Sequence, residues 1–290
     1  MTDLNSRPTS ITIFLATGTP DGIRVVEKAN WTGKAVVAGR SQLKEALRRR
    51  ELAGPGVYIL TGPGSGIARR IYIGESDTLA TRLNQHHSRE FWTQFVAFTS
   101  TNEGLNKASI RYLETRLVNL AREANQWEVE NGPVSEEPVL SEVDRANAEW
   151  FLGEMLQIYP ILGVDAFESA SREPSASDDS ELLFLSERGA EARGREASDG
   201  FVVLQGSKGR LAEVNSISSY DHDLRQELIN RDVLRPDGES LIFTQDYRFS
   251  SPSQASSVLV GGSSNGRMAW RNGGGVTLKE IQDGRGGELA

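Results

Sequence analysis

The chain has 290 residues, 38% of them hydrophobic and 25% charged, which is ordinary globular material and enough for two domains with cores of their own. It contains no cysteine and three histidines, which excludes a disulfide framework and a thiolate zinc site, leaves too few imidazoles for a zinc cluster, and fits a reducing compartment. The net charge of −8, taken as an average, argues against a nucleic-acid partner, because phosphate binding needs Lys and Arg in excess.

Ile11-Thr-Ile-Phe-Leu15 has the composition of a strand, Gly18-Thr-Pro-Asp-Gly22 is a turn, and Ile23-Arg-Val-Val26 returns from it, so a hairpin is expected near the start. Ser41 is placed to cap a helix over Gln42 to Leu52, with Leu43, Ala46, Leu47 and Leu52 on one side and Lys44, Arg48, Arg49 and Arg50 solvated; Gly54-Pro-Gly56 ends it. Val57 to Leu60 and Arg70 to Ile73 flank the Gly-rich Gly62-Pro-Gly-Ser-Gly66 and read as an antiparallel pair. A helix over Thr78 to His87 and a strand over Phe95 to Thr99 follow. The next helix, Leu105 to Asn125, is longer and carries an apolar stripe of Ile110, Leu113, Leu117 and Leu120 at helical spacing. A further helix, Ser141 to Ile158, carries Trp150, Phe151, Met155 and Leu156 and stops before Pro160. Ser169 to Ser180 has no apolar periodicity and reads as a flexible linker. Beyond it Leu182 to Leu185, Phe201 to Leu204 and Ser240 to Thr244 read as strands, and Asp223 to Asn230 as a helix.

These elements predict an α/β (α+β) class. Residues 1–53 form a hairpin and helix packed on a module at 54–168, a small antiparallel sheet flanked by helices. A linker at 169–180 then leads to a small α+β domain at 181–290. No basic start followed by an apolar run opens the sequence, and the longest apolar stretch, Trp150 to Val164, is broken by Glu154 and Pro160. Neither a secretion signal nor a membrane span is expected, and a cytoplasmic location is.

The charge is segregated. Lys34 to Arg116 carries a net +6, whereas Ala121 to Gly200 carries −13. A basic module followed by an acidic belt is compatible with nucleic acid held on one surface and repelled from another; a solvated acidic segment without a partner fits the same counts.

Between Tyr58 and Glu114 the sequence offers a set of chemically capable groups. Tyr58 and Tyr72 lie on the paired strands; Arg82 and His86 share one helix face; Lys107, Arg111 and Glu114 share a face of the long helix. A guanidinium grips a phosphate, a carboxylate gives Mg²⁺ a hard oxygen, and a polar base orients water, which together are the needs of metal-assisted phosphodiester cleavage. The plainer reading makes the tyrosines packing residues and the charged groups solvated.

Gly56-Val-Tyr58, and after the Gly-rich turn Tyr72-Ile-Gly74, resemble the two tripeptides that name the GIY-YIG nucleases. Leu79-Ala-Thr-Arg82-Leu and Leu105-Asn-Lys-Ala-Ser-Ile-Arg-Tyr-Leu-Glu114 are similar to that family's arginine helix and metal-binding helix, so the resemblance covers residues 54 to 122; Val57 in place of Ile is near-isosteric. It implies an endonuclease hydrolysing phosphodiester bonds, acting on DNA in repair or in defence against foreign DNA. Tyr58 would help activate water, Tyr72 position water or phosphate, Arg82 stabilise the pentavalent phosphate, and Glu114 hold one Mg²⁺ or Mn²⁺. An unperturbed phenol is a poor base, so its phenolate has to be favoured by the metal or by neighbours, for which Arg82, His86 and Lys107 are the candidates. His86 matches a position often basic or histidine in the family. Lys107, Arg111 and the Arg48, Arg49 and Arg50 run are expected substrate contacts; His87 reads as a surface residue, and Glu75 as a solvated strand-end carboxylate, with an approach to the metal as its second reading.

Trp31, Phe91 and Trp92 have two readings, base stacking or core. Asp199 to Gly206, Phe249 to Ser256 and Asn265 to Trp270 resemble the C-terminal domain of unknown function in a bacterial GIY-YIG subgroup. A helix starting near Ser253 would offer free N–H groups to a phosphate, or be a capped structural helix. The alternatives to an active nuclease are an inactive nucleic-acid-binding adaptor on the same scaffold and a protein-binding tail that uses the acidic belt. The sequence leaves the oligomeric state open.

Overall fold

The computed structural model describes residues 8–64, 68–102, 104–133, 137–168, 182–197 and 200–287. The linker expected at 169–180 lies outside the described residues. The chain divides into two compact units, the first ending at Phe167 and the second beginning at Glu168. Both mix helices and sheet, an α+β class. Among the described residues no helix is long and apolar enough to cross a membrane.

The first unit opens with the expected hairpin, β1 (Ile11–Leu15) and β2 (Arg24–Lys28), extended by β3 (Gly33–Gly39). Ala35 to Ala38 are buried on both faces of the sheet. A strand covered on both sides shows no apolar–polar alternation, which is why periodicity does not mark β3.

The helix expected over Gln42 to Leu52 is not formed. A 3-10 turn at Arg40–Gln42, a single turn α1 (Leu43–Ala46) and a second 3-10 turn at Arg50–Leu52 stand in its place, and Ser41 caps nothing. The break lies at Arg49, whose backbone is extended (φ −75, ψ 135). It lets Leu43, Ala46 and Leu52 all reach the core, while the Arg49 guanidinium turns to the Glu51 carboxylate at 2.8 Å.

β4 (Gly56–Pro63), β5 (Arg69–Ser76), α2 (Leu79–Gln85), β6 (Gln94–Ser100), α3 (Lys107–Ala124), β7 (Glu128–Val129) and α4 (Glu142–Ile158) complete the unit. The sheet order is β1-β2-β3-β6-β4-β5-β7. The β5–β7 pair is parallel and its neighbours antiparallel. The sequence starts α3 cleanly: the Asn106 side chain accepts from the Ala108 and Ser109 amides at 3.0 Å each, and the Ser109 hydroxyl accepts from the Asn106 amide at 2.8 Å.

Alternation along β4 and β5 sorts side chains to opposite faces. Val57, Ile59, Ile71 and Ile73 join Ile110, Leu113 and Leu117 of α3 and Phe151, Leu152 and Met155 of α4 in one core cluster. Tyr58 and Leu60 join Leu79 and Leu83 of α2 in another, with Tyr72 against it.

The second unit contains β8 (Leu183–Glu187), β9 (Ala190–Ala197), β10 (Gly200–Val203), β11 (Lys208–Arg210), α5 (Ser219–Asn230), β12 (Leu234–Asp237), β13 (Ser240–Phe243), β14 (Tyr247–Phe249), α6 (Pro252–Val260), α7 (Gly266–Ala269), β15 (Arg271–Asn272) and α8 (Leu278–Gly287). The sheet runs β12-β13-β11-β9-β10-β14, with β8 against β9 and β15 against β8. Phe201, Phe243, Phe249 and Trp270 pack with Leu224 and Leu228 of α5 and Val258 and Leu259 of α6.

Candidate active site

The β4–β5 pairing sets Tyr58 opposite Gly74 and Leu60 opposite Tyr72. The two tyrosines are thus diagonal neighbours on one face, ring centroids 6.3 Å apart. Gly74 is required there, because a Cβ at that position would stand 2.4 Å from the Tyr58 hydroxyl. Gly56 is equally constrained, its Cβ position lying 2.1 Å from the Phe98 carbonyl oxygen of β6. Both glycines of the paired tripeptides therefore serve close approach.

Helix α2 covers this face and delivers Arg82, and the 3-10 turn that follows it, His86–Ser88, delivers His86. The Tyr58 hydroxyl and His86 Nε2 are 2.6 Å apart and share one hydrogen. His86 is buried, its ring 5.1 Å from that of Tyr72, and its carbonyl accepts from Trp92 Nε1 at 3.0 Å. Burial, then the Arg89 and Arg82 charges, pull the imidazole down to about 4, so it is neutral at pH 7. Burial, with Tyr72 beside it, raises the Tyr58 phenol well above its ordinary value despite the opposing pull of Arg82.

Of the expected neighbours Arg82 does favour the phenolate, but burial and Tyr72 outweigh it, and a neutral His86 adds no charge to help. Each pKa unit is about 1.4 kcal/mol, and the two groups diverge in the direction that opposes proton transfer, so a standing phenolate–imidazolium pair is out of reach. The favoured arrangement is a phenol donating to a neutral His86, which leaves the phenol oxygen's lone pairs to accept from a water.

Helix α3 lies on the other face and crosses β5. The Glu114 carboxyl is pushed up to about 7, by burial first and then by Glu75, against the lowering charges of Arg82, Lys107 and Arg111. Groups from α2, α3 and β5 thus act on one carboxylate across the outer edge of β5. There β7 pairs with Arg70 and Ile71, and the Asn131 amide continues the edge by exchanging two hydrogen bonds with the Ile73 backbone, at 2.9 and 2.7 Å. Lys107 reaches the Glu75 carboxylate at 2.9 Å and Asp77 at 3.2 Å.

Tyr58, Tyr72, Arg82, His86, Glu114, Lys107 and Arg111 thus fall in one neighbourhood. Arg48, Arg49 and Arg50 do not join it; they line a different concavity with Ala16, Thr17 and Ile23, and Arg49 is engaged by Glu51 rather than free for phosphate. Two groups were missed. Arg89 stacks over the Tyr72 ring at 4.4 Å, and its position three residues after His86 was the available signal. Asn131 gave none, being 58 residues from its partner. Glu75, read as solvated, bears directly on Glu114.

Where the sequence left two readings open, the structure favours the plainer one. Trp31 is 9% and Trp92 0% exposed, Trp31 packing on Phe151 at 4.8 Å, so neither offers a base a free face. At the start of α6 the Ser251 hydroxyl caps the Gln254 amide and the Ser253 hydroxyl accepts from the Gly266 amide, both at 3.1 Å. The Gly266 backbone packs so tightly on Pro252 that a Cβ there would lie 2.2 Å from it. A phosphate has no room at that end, and the capped structural helix is the reading that stands.

Among the described residues no group of three or more His, Asp or Glu side chains is arranged to hold a metal. Glu114 and Glu75 are the carboxylates at hand. Lys107 pairs with Glu75 and Arg82, Lys107 and Arg111 bear on Glu114, yet burial and the Glu75 charge still raise the Glu114 carboxyl; a carboxylate of this kind suits a hard divalent cation completing its shell with water and phosphate oxygens.

The first unit is thus an α+β module with a polar cluster at one sheet edge, and the second is a separate α+β domain. Residues 183–282, nearly the whole of the second unit, match the family described as Domain of unknown function (DUF4357). No curated protein and no solved structure matches the chain.

Proposed function

We propose that the first unit is a metal-dependent nuclease of the GIY-YIG kind, a DNA endonuclease in repair or in defence against foreign DNA, with the second unit contributing to nucleic-acid contact. The observation that carries this reading is the convergence of Tyr58, Tyr72, Arg82, His86 and Glu114, drawn from five elements, around the β4–β5 pair. A structural role alone does not call for an arginine, two phenols, an imidazole and a carboxylate of raised pKa in one place.

In this reading Arg82, exposed at the site's mouth, binds the phosphate under attack and gains interaction as charge builds on the pentavalent centre. Tyr58, fixed by its hydrogen bond to His86, accepts a hydrogen bond from the attacking water and aims its lone pair at phosphorus. Tyr72, held under Arg89, positions the water or a phosphate oxygen. Mg²⁺ or Mn²⁺ held by Glu114, with Glu75 near, supplies Lewis-acid polarisation of the phosphate oxygens. The test is incubation of the purified protein with plasmid, linear duplex, single-stranded DNA and RNA in Mg²⁺, Mn²⁺ or EDTA. Cleavage that requires metal supports the reading; binding without cleavage under every condition replaces it with the adaptor.

A further inference from the structure

The cationic run at Arg48 to Arg50 lies apart from the catalytic cluster, and the tryptophans nearest that cluster in sequence are buried. A site for the rest of a substrate strand therefore lies outside that cluster, and Arg50 lines a candidate for it. Two concavities of the first unit meet at Ser100, Asn102 and Leu105. The larger, about 510 Å³, is lined by Lys34, Arg50, Pro55 and Thr101, a size in the range of small-ligand clefts. The smaller, about 250 Å³, is lined by Thr32, Asn106, Asn147 and Trp150.

The two ends differ in chemistry. Trp150 stands off the buried stripe of α4 formed by Ala148, Phe151, Leu152 and Met155, and is 52% exposed. Asn147, three residues before it, is its neighbour on the helix surface. Opposite them the Asn102 carbonyl oxygen accepts from the Ser100 hydroxyl at 2.6 Å and the Gly104 amide at 3.1 Å, which fixes its amide plane. An exposed indole beside uncharged amides suits a nucleobase, whose faces stack and whose edges hydrogen-bond.

The other end is cationic. Arg50 is exposed there, and Lys34 shares its charge with Glu27. Of the acidic groups facing the groove, Glu51 is held by Arg49, and Asp144 accepts from the Ser141 hydroxyl. Asp144 lies at the Trp150 end, so repulsion falls where an uncharged base would sit and not where a phosphate would. The groove begins at Gly54 and Pro55, immediately before β4. It passes the start of α3, from which Lys107 reaches Glu75.

We infer that this groove binds a nucleotide of the substrate strand, with its base stacked on Trp150 between Asn147 and Asn102 and its phosphate toward Arg50 and Lys34. This rests on the nuclease reading for its choice of ligand, although the groove shares none of the catalytic side chains.

The test uses the full chain carrying Glu114→Gln, which allows binding to be measured without cleavage, and fluorescein-labelled single-stranded oligonucleotides, intact or with one abasic position scanned along the strand. Trp150→Ala should weaken binding of the intact strand roughly tenfold. Trp150→Phe should keep most of the affinity, and Trp150→Ala should cost nothing further when the abasic position falls at the stacked base. Arg50→Ala should flatten the dependence of affinity on salt. The same tryptophan substitutions in the otherwise wild-type chain are assayed for cleavage. If the wild type cleaves and Trp150→Ala binds every strand as tightly as its parent, the groove assignment is overturned and the nuclease reading survives. If Trp150→Ala weakens binding of a chain that never cleaves, the groove stands and the nuclease reading falls. Binding of no oligonucleotide overturns both.

Discussion

Tyr58 and Gly74 form one unit: the phenol ring crosses directly over the glycine opposite it and occupies the space a side chain there would fill. The ring's buried position in turn sets the 2.6 Å contact with His86. Gly74→Ala should therefore force the ring aside and lower stability by about 1–3 kcal/mol, the usual cost of overpacking a filled core. In a Tyr58→Ala background the same substitution should cost far less. Urea denaturation of the four proteins of that cycle measures the coupling, and additive effects would show that the ring does not depend on the glycine.

His86 makes stability depend on pH. Its pKa is about 4 in the fold and about 6.5 unfolded, so between these values the unfolded chain holds the extra proton. The contribution is complete above about pH 6.5 and is lost as pH falls toward 4, amounting to a few kcal/mol. Glu114, with its pKa raised to about 7, acts in the opposite sense over an overlapping window, because there the folded state holds the extra proton. The wild-type curve alone is therefore ambiguous. The difference between wild type and His86→Gln, measured by urea midpoints from pH 7 to 4.5, should shrink steadily with acid; a constant difference would show that the imidazole is not held neutral.

What the sequence made legible follows from how each feature is encoded. The strands carrying Tyr58 and Tyr72, the helix from Asn106 and the helix from Ser141 have local signatures, namely β-branched runs, a capping box and apolar stripes. The site residues could be named because they lie on those elements. Local signatures failed where the deciding contact is distant. The helix expected over Gln42 to Leu52 is broken so that Leu43 and Leu52 both reach one core, and that core includes Trp92, forty residues farther on. Asn131 finishes an edge strand laid down far earlier. Trp150 stands among the large apolar residues of its helix in sequence, yet it lies one residue before Phe151, enough rotation to expose the indole.

Arg225 is another such case, unremarkable in sequence and 1% exposed in the fold. Its guanidinium donates to the carbonyls of Val258 at 2.6 Å and Leu211 at 2.9 Å, and to that of Arg210, with Glu213 3.4 Å away. Arg225→Met should remove the donor that ties three backbone carbonyls together and destabilise the second unit by about 3 kcal/mol. Arg225→Lys should not rescue it, because one ammonium does not span three acceptors as a planar fork does. Limited proteolysis read by mass spectrometry should show earlier cleavage within 182–287 and an unchanged first unit. Equal protection of the variant and the wild type would mean the guanidinium is dispensable.

If the nuclease reading holds, Arg82→Ala should lower single-turnover cleavage by orders of magnitude with a smaller loss of affinity, since its interaction grows in the transition state. Arg82 is exposed and donates to the Gln85 side chain at 3.0 Å on its own helix, and its other interactions are with the Tyr58 and Tyr72 hydroxyls of the site, so the core does not depend on it and the fold should tolerate the change. Loss of affinity in proportion to rate would make Arg82 an ordinary phosphate contact.

The last prediction joins Glu114 to its neighbour Glu75. A cation bound by Glu114 must displace whatever proton the carboxyl carries, and burial together with the Glu75 charge holds that proton up to about pH 7. Affinity for Mn²⁺ should therefore be flat above about pH 7 and fall toward tenfold per unit below it. Glu75→Gln removes the repelling charge and should move the break to lower pH. If Glu75 is only an electrostatic neighbour, the variant should bind Mn²⁺ at pH 6 at least as well as wild type does. If Glu75 is itself a ligand, affinity should drop across the whole pH range. Calorimetric titration of Mn²⁺ into the wild type, Glu75→Gln and Glu114→Gln from pH 5.5 to 8.5 separates these cases. Glu114→Gln sets the baseline: if it binds Mn²⁺ as the wild type does, the metal is held elsewhere and the carboxylate pair loses its proposed role.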